Sequence, residues 1–324
     1  MSAISGDLLV TGASGFLGST IVDLACNMGW NVRTLSRNPG IANGKVEAFA
    51  GDIADMALLR RASKGVKTIV HAAGLAHVFG PRARDSVRFD AVNEAGTCNV
   101  IDAALECGVP HVVLVSSVSV YGGYSGTKCD ETVPCQPRGP YAISKWHSEL
   151  QAAQRMARGR NSLTILRFAT IYGEDDRGNV ARLIRALDCG RFVWLGSGEN
   201  KKSLIHKKDA ARACLCALLR PTPGVEIFNV AAQPATVREI VTAICQALGR
   251  PVPRLSIPLA LLKVAGSISR RLGDPGDLDQ QFKKFTHDDV YDGTRFESFF
   301  DFCPSVPLSE GIRREVDSLR RVRR

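Results

Sequence analysis

The sequence predicts an α/β fold, a doubly wound parallel sheet with helices on both faces and a smaller, mostly helical C-terminal region. Three observations carry that expectation. Between residue 7 and about residue 173, short runs rich in β-branched residues alternate with segments whose apolar residues fall near helical spacing. Glycines stand where the helices should stop, at Gly29, Gly65 and Gly108. Beyond Gly173 the rhythm loosens, and prolines from Pro221 to Pro307 divide the chain into shorter elements. Residues 1–173 are therefore expected to form one domain and residues 174–324 a smaller one, with strands of the second allowed to return to the first.

In chain order the expected strands are DLLV, NVRTLSR, VEAFAGD, KTIVHAAG, HVVLVSS and SLTILRFATIYG. Between them lie the helical segments FLGSTIVDLACNMG, DMALLRRAS, Asp85 to Cys107, and YAISKWHSELQAAQRMARG. The later part adds the helices NVARLIRALDCG, KDAARACLCALLR and TVREIVTAICQALG. The first junction reads TGASGFLG, with Gly12, Gly15 and Gly18 between a strand and a helix. Glycines clustered there imply backbone that turns tightly or is closely approached. The loop would aim N–H groups and the positive end of a helix at one point, which suits a pyrophosphate.

Composition sets outer bounds. A chain of 324 residues can bury a large core, and the expectation is a protein of the cytoplasm: no apolar stretch is long enough for a membrane span, and no signal-type N-terminus is visible. The ten cysteines form neither a CxxC pair nor a zinc-spaced cluster, so most of them read as buried thiols of a reducing compartment and no metal is expected. A net charge of +10 suits an anionic partner. Aromatic residues are sparse and no nucleic-acid motif occurs, so a nucleic-acid partner is not expected.

Two further motifs fall on the ligand edge of such a sheet. SSVSVYG, Ser116 to Gly122, follows the strand HVVLV, so its hydroxyls emerge at a carboxyl end. PYAISKW then sets Tyr141 and Lys145 four residues apart, on one helical face. An ammonium beside a phenol favours the phenolate and lowers its pKa from about 10, which would poise Tyr141 to exchange a proton with a carbinol or carbonyl oxygen.

TGASGFLG, GDIAD, HAAG, VNEAGT, SSVSVYG, YAISK and LRFATIYG, in that order, resemble the extended short-chain dehydrogenase/reductases. The likeness is to their NAD(P)-dependent epimerase/dehydratase branch, which acts on nucleotide sugars. It implies a Rossmann-type NAD(P)-binding domain, a C-terminal substrate lid, a nucleotide-diphosphate sugar as substrate and a homodimer built on two long helices. Gly12, Gly15 and Gly18 would approach the pyrophosphate, with Phe16 and Leu17 at the helix start; Asp52 and Ile53 would flank the adenine; Ala72, Ala73 and Gly74 would line the ribose and phosphates, and Phe168 would also contact the cofactor. Tyr141 would be the acid/base, Lys145 would hold the nicotinamide ribose, Ser117 would bond the reacting oxygen and Ser119, two residues on along the strand, would assist. Asn93 would support the site from behind, and His71 is a packed strand residue. Thr170, Asn179, Arg182 and Lys202 are the further candidates for contacting substrate, Asn179 by opening a helix whose N-terminus meets phosphate.

Departures from the branch narrow the reaction. The second strand ends in Ser36 and Arg37 where an acidic residue would read the ribose of NAD, which favours NADP. Val118 and Ser119 replace the Asp-Glu pair of the dehydratases, and valine does no acid/base work, so dehydration is disfavoured. Thr170 stands where many epimerases carry Asn. The expectation is a 4-keto-sugar reductase using NADPH, with a 4-epimerase holding NAD as the alternative and an inactive NADP-binding regulator as a third reading.

Overall fold

The computed structural model describes residues 7–38, 45–76, 82–123, 128–157, 161–257 and 287–322. Its main sheet has seven parallel strands in the order β3-β2-β1-β4-β5-β6-β11. These are β1 (Asp7–Thr11), β2 (Asn31–Ser36), β3 (Val46–Ala50), β4 (Thr68–His71), β5 (His111–Ser117), β6 (Ser162–Phe168) and β11 (Val225–Val230). This is the Rossmann order, and the expected fold class is the one observed. Between β1 and β4 the direction of strand succession reverses, which opens a crevice at their carboxyl ends.

Side chains alternate across a strand, so each central strand feeds two cores. Leu8 and Val10 of β1 pack with α1 (Phe16–Asn27) and α7 (Lys207–Leu219), while Leu9 between them packs with α2 (Met56–Ser63), α4 (Gly96–Glu106) and α5 (Pro140–Met156). Burying a Leu or Val fully contributes about 1.5–3 kcal/mol, and all three are inaccessible to solvent. The C-terminal sequence thus lends both β11 and α7 to the nucleotide-type sheet layer. Phe296 and Phe300 of α9 (Thr294–Phe300) close that layer over Phe228 of β11. A third core joins α6 (Asn179–Asp188), α8 (Val237–Leu248) and α10 (Leu308–Val322) around Trp194 and Ile312.

Two segments differ from their expected form. SLTILRFATIYG does not run as one strand: Ala169 N–H donates to Val230 O and ends the ladder, and β7 (Thr170–Tyr172) leaves to pair with β10 (Leu204–His206). The segment from Asp85 to Cys107 contains α3 (Arg82–Phe89), a π-helical turn over Asp90–Ala95, and α4. At the turn the hydroxyls of Thr97 and Ser148 donate to the Asn93 carbonyl, at 2.5 and 2.8 Å. Such competition for a helical carbonyl bends the ladder.

His111 at the head of β5 is buried, bonded through Nε2 to Thr164 Oγ1 at 3.0 Å, and burial pushes its pKa down to about 4. The unfolded chain takes up that proton near pH 6.5 and the folded chain does not, so this contribution to stability is present above about pH 6.5 and lost as the pH falls toward 4. The slope is about 1.4 kcal/mol per pH unit in that window. Thermal melts across it should show a shallower acid decline for His111→Gln than for the parent; parallel curves would remove His111 from the account.

Candidate active site

The crevice begins with the glycine loop. Gly12 has φ 70°, and a Cβ there would lie 2.6 Å from the Ala73 backbone. At Gly18 a Cβ would come within 2.1 Å of Gly12 O. The loop, β4's end and the first turn of α1 are therefore pressed together so closely that only glycine fits. Gly15 is the N-cap of α1, and no side chain caps that terminus. Its N–H groups and partial positive charge are available to an anion. Phe16 is half-buried at the helix start and Leu17 is buried beneath it.

The other expected cofactor residues fall around the same edge. Ser36 ends β2, with its Oγ buried and lacking a partner among the described residues; Arg37 next to it is exposed. Asp52 is exposed and its Oδ1 accepts from Ala54 N at 3.0 Å, while Ile53 is a core residue. Ala72, Ala73 and Gly74 lead out of β4. Phe168 lies inside the core at 2% exposure, paired in register with Ser117, and offers almost no surface to a ligand. An uncapped helix terminus, a glycine cradle and an orphaned hydroxyl at the end of β2 fit a dinucleotide.

The proton-handling groups converge one strand over. Tyr141 and Lys145 sit in the first two turns of α5, and the Tyr141 phenol comes near enough to the Ser117 hydroxyl at the end of β5 for that group to favour its ionisation. Lys145, 7% exposed, donates from Nζ to Val115 O at 2.8 Å. The same Nζ lies 3.3 Å from where a Cβ on Gly74 would stand, so the ammonium faces the β4 loop. Burial raises the phenol above its ordinary value, outweighing the Ser117 hydroxyl, and lowers Lys145 to about 8. The expected lowering of Tyr141 by Lys145 is thus not what this environment gives: desolvation dominates. Ser119 also departs from expectation, because β5 stops at Ser117 and Ser119 lies in a 3₁₀ turn over Val118–Tyr121. Ser117 caps that turn, accepting from Ser119 N at 3.2 Å, and Ser119 Oγ is buried without a partner among the described residues.

The substrate-side candidates separate. Thr170 is exposed on β7 and Arg182 is exposed on α6. Asn179 does open α6, but the Asp176 carboxylate already accepts from Gly178 N at 2.7 Å and Ala181 N at 3.3 Å. A phosphate at that terminus would meet a carboxylate, which corrects the expectation for Asn179. Lys202 Nζ donates to Asp289 Oδ2 at 2.5 Å and His287 O at 2.9 Å, so it is engaged within the protein.

Further residues support the site, Asn93 and His71 among those the sequence had singled out. Asn93 Oδ1 accepts from Leu75 N at 2.7 Å while its Nδ2 donates to Leu75 O and Ser144 Oγ, clamping the β4 loop to α5. His71 bridges Thr11 and Thr97, and burial followed by the Lys145 charge holds its pKa near 3, so it is neutral and structural as expected. The main omission is a buried polar chain. Glu149 of α5 accepts from Arg167 of β6 through Nε and Nη2, and from Ser116 Oγ at 2.5 Å. Arg167 Nη1 donates to Tyr121 Oη, which donates to Asn229 Oδ1 of β11. Glu149 falls eight residues after Tyr141 and four after Lys145, on the same helical face, and Arg167 is a charge inside an apolar strand. Those were the available signals.

Removing one member of a buried ion pair leaves an uncompensated charge, at a cost of about 3–5 kcal/mol. Arg167→Met alone should therefore lose stability of that order in urea unfolding, and Glu149→Gln with Arg167→Met should recover part of it. A double variant no more stable than the single would show that the charge itself is not what matters.

The family model for "NAD dependent epimerase/dehydratase family" matches residues 8–231. The chain is 29% identical to an N-acetyl-alpha-D-glucosaminyl-diphospho-ditrans,octacis-undecaprenol 4-epimerase of Escherichia coli O157:H7, over 97% of this chain and 95% of that protein. It is 30% identical to dTDP-D-glucose 4,6-dehydratase of Mus musculus over 69% of this chain and 67% of that protein. Among solved structures, MoeE5 in complex with UDP-glucuronic acid and NAD is 28% identical and superposes with a TM-score of 0.79, covering 98% of this chain and 100% of that one. With the glycine loop, the seven-stranded sheet and the match across 8–231 in agreement, the chain belongs to the NAD-dependent epimerase/dehydratase family.

Proposed function

We propose that the protein is a 4-epimerase of a diphosphate-activated sugar, using NAD that it holds through the catalytic cycle. The observation that carries this is the Ser117–Tyr141–Lys145 cluster beside the uncapped N-terminus of α1, combined with near full-length likeness to a 4-epimerase. Val118 is buried and Ser119 carries a hydroxyl, so the two positions that would serve a dehydratase hold no carboxylate. This favours epimerisation over dehydration, and the relatives weigh for epimerisation over the reductase expected from Arg37. The carrier of the sugar diphosphate is a nucleotide in the MoeE5 complex and a polyprenol in the Escherichia coli relative.

NAD held at the Gly12–Gly18 loop and the α1 N-terminus would supply the hydride acceptor and a positive charge. Tyr141 Oη accepts the proton of the sugar 4-hydroxyl and later returns it to the 4-keto oxygen. Ser117 bonds the same oxygen and keeps the phenol aimed at it. Lys145, held by Val115 O, places its charge between α5 and the β4 loop, where it would meet the ribose of the dinucleotide. The Ser119 hydroxyl, buried without a partner among the described residues, would be satisfied by a bond from substrate.

Denaturing the purified protein should release NAD at about one equivalent per chain, and incubation with UDP-N-acetylglucosamine or its polyprenyl-diphosphate counterpart should yield the 4-epimer without net redox change. An empty protein that consumes NADPH stoichiometrically with a 4-keto sugar would instead establish the reductase. Tyr141→Phe should lower kcat by about three orders of magnitude while retaining the dinucleotide; activity within about tenfold of the parent would remove Tyr141 from its role. Arg37→Asp separates the two dinucleotides: if Arg37 reads a 2′-phosphate, NADP affinity falls, and if it faces solvent, neither affinity changes.

A further inference from the structure

The helices of the third core end together. Arg250, just past α8, pairs with Asp188 at the end of α6 at 3.4 Å, and Arg320 near the end of α10 donates from Nη2 to Leu248 O at 2.8 Å. The loop leaving α8 then runs Pro251-Val252-Pro253-Arg254-Leu255, tied back by Trp194 N to Leu255 O and by Trp194 Nε1 to Pro253 O. Leu255 is 66% exposed and Val252 37%, with exposed Arg250 and Arg254 beside them in the loop, and exposed Arg320, bonded to Leu248 just ahead of the loop, is followed by exposed Arg321. Among the described residues the acidic groups paired here are Asp188, with Arg250, and Glu199, with Arg238 at the loop's edge.

Arginines at helix C-termini are ordinarily explained by the terminal carbonyls, and Arg320 does bond one. That explanation does not extend to Arg254 in a loop, nor to two aliphatic side chains left standing in water among cations. Cations beside exposed aliphatics match the chemistry of an anionic lipid surface, with phosphate headgroups outside and acyl chains beneath. A nucleic acid would call for an aromatic stacking surface, and Trp194, the aromatic residue tied to this loop, is buried. Among the described residues no helix is long and apolar enough to cross a membrane.

We infer that this face docks on an anionic bilayer, and that the sugar diphosphate handled by the protein is one carried on a polyprenyl lipid in that bilayer. The inference rests on the 4-epimerase reading of the site. One helix reaches the patch from the rest of the C-terminal region: α6 begins at Asn179 and ends at Asp188, which pairs with Arg250, a span of about 15 Å for ten residues. A sugar diphosphate whose lipid tail is buried in the membrane can cover such a distance.

The full chain should cosediment with vesicles of phosphatidylcholine and phosphatidylglycerol, not with phosphatidylcholine alone, and release in high salt. Arg254→Glu with Arg321→Glu, and separately Leu255→Asp, should each weaken vesicle binding about tenfold or more and slow epimerisation of vesicle-borne polyprenyl-diphosphate N-acetylglucosamine in parallel. Both variants should epimerise soluble UDP-N-acetylglucosamine, if the parent does, at the parent's rate. Absence of sedimentation, or variants that bind vesicles as the parent does, overturns the docking surface even where a soluble sugar is still turned over. Vesicle binding with no epimerisation of either sugar overturns the 4-epimerase reading, and the lipid-linked substrate with it, while the docking surface stands.

Discussion

The seating of α5 on the sheet is the constraint on which the site depends. Tyr141 and Lys145 are useful only if their helix holds a fixed register against the ends of β4 and β5, and two sets of buried polar contacts impose it. Glu149 receives Arg167 from β6 and Ser116 from β5, locking the helix from below. Asn93 and Ser144 tie its first turns to the β4 loop from the other side. In a low-dielectric interior such groups are costly unless every partner is in place, so the arrangement tolerates few alternatives. Lys145 and Val115 then meet at 2.8 Å as a consequence.

On the opposite side of the crevice the constraint is steric. Gly12 and Gly18 allow the loop, α1 and the Ala72–Ala73 backbone to approach within distances that no Cβ permits. That compression leaves the α1 N-terminus facing outward and uncapped. A polar side chain at Gly15 would fill the terminus, as Asp176 does at α6. The contrast explains why one helix end in this protein suits phosphate and the other does not.

Desolvation sets the electrostatic character of the site. It raises Tyr141, lowers Lys145 to about 8 and keeps His71 neutral, so each of the three is biased toward its uncharged form. Glu149 opposes this at Lys145, since its negative charge favours the ammonium. A positively charged nicotinamide would push Tyr141 in the direction that burial resists, which gives the dinucleotide an electrostatic part beyond its redox one.

The sequence by itself determined the sheet, its helices and the glycine, serine and Tyr-Lys motifs, because these are local: periodicity, caps and spacing along one helix or strand end are written in consecutive residues. It located Gly12, Gly15, Gly18, Ser117, Tyr141 and Lys145 on one edge without knowing the strand order. What only the tertiary structure decided was which polar groups were already engaged. Asn179 and Lys202 looked available for a phosphate, yet Asp176 occupies one and Asp289, more than eighty residues downstream, holds the other. The Glu149–Arg167–Tyr121–Asn229 chain spans two strands, a 3₁₀ turn and a helix, and the arginine face unites the ends of three helices far apart in sequence. Pairings between distant segments leave little periodic trace, and burial, which moved Tyr141 against the direction expected from Lys145, is a property of the packed chain alone.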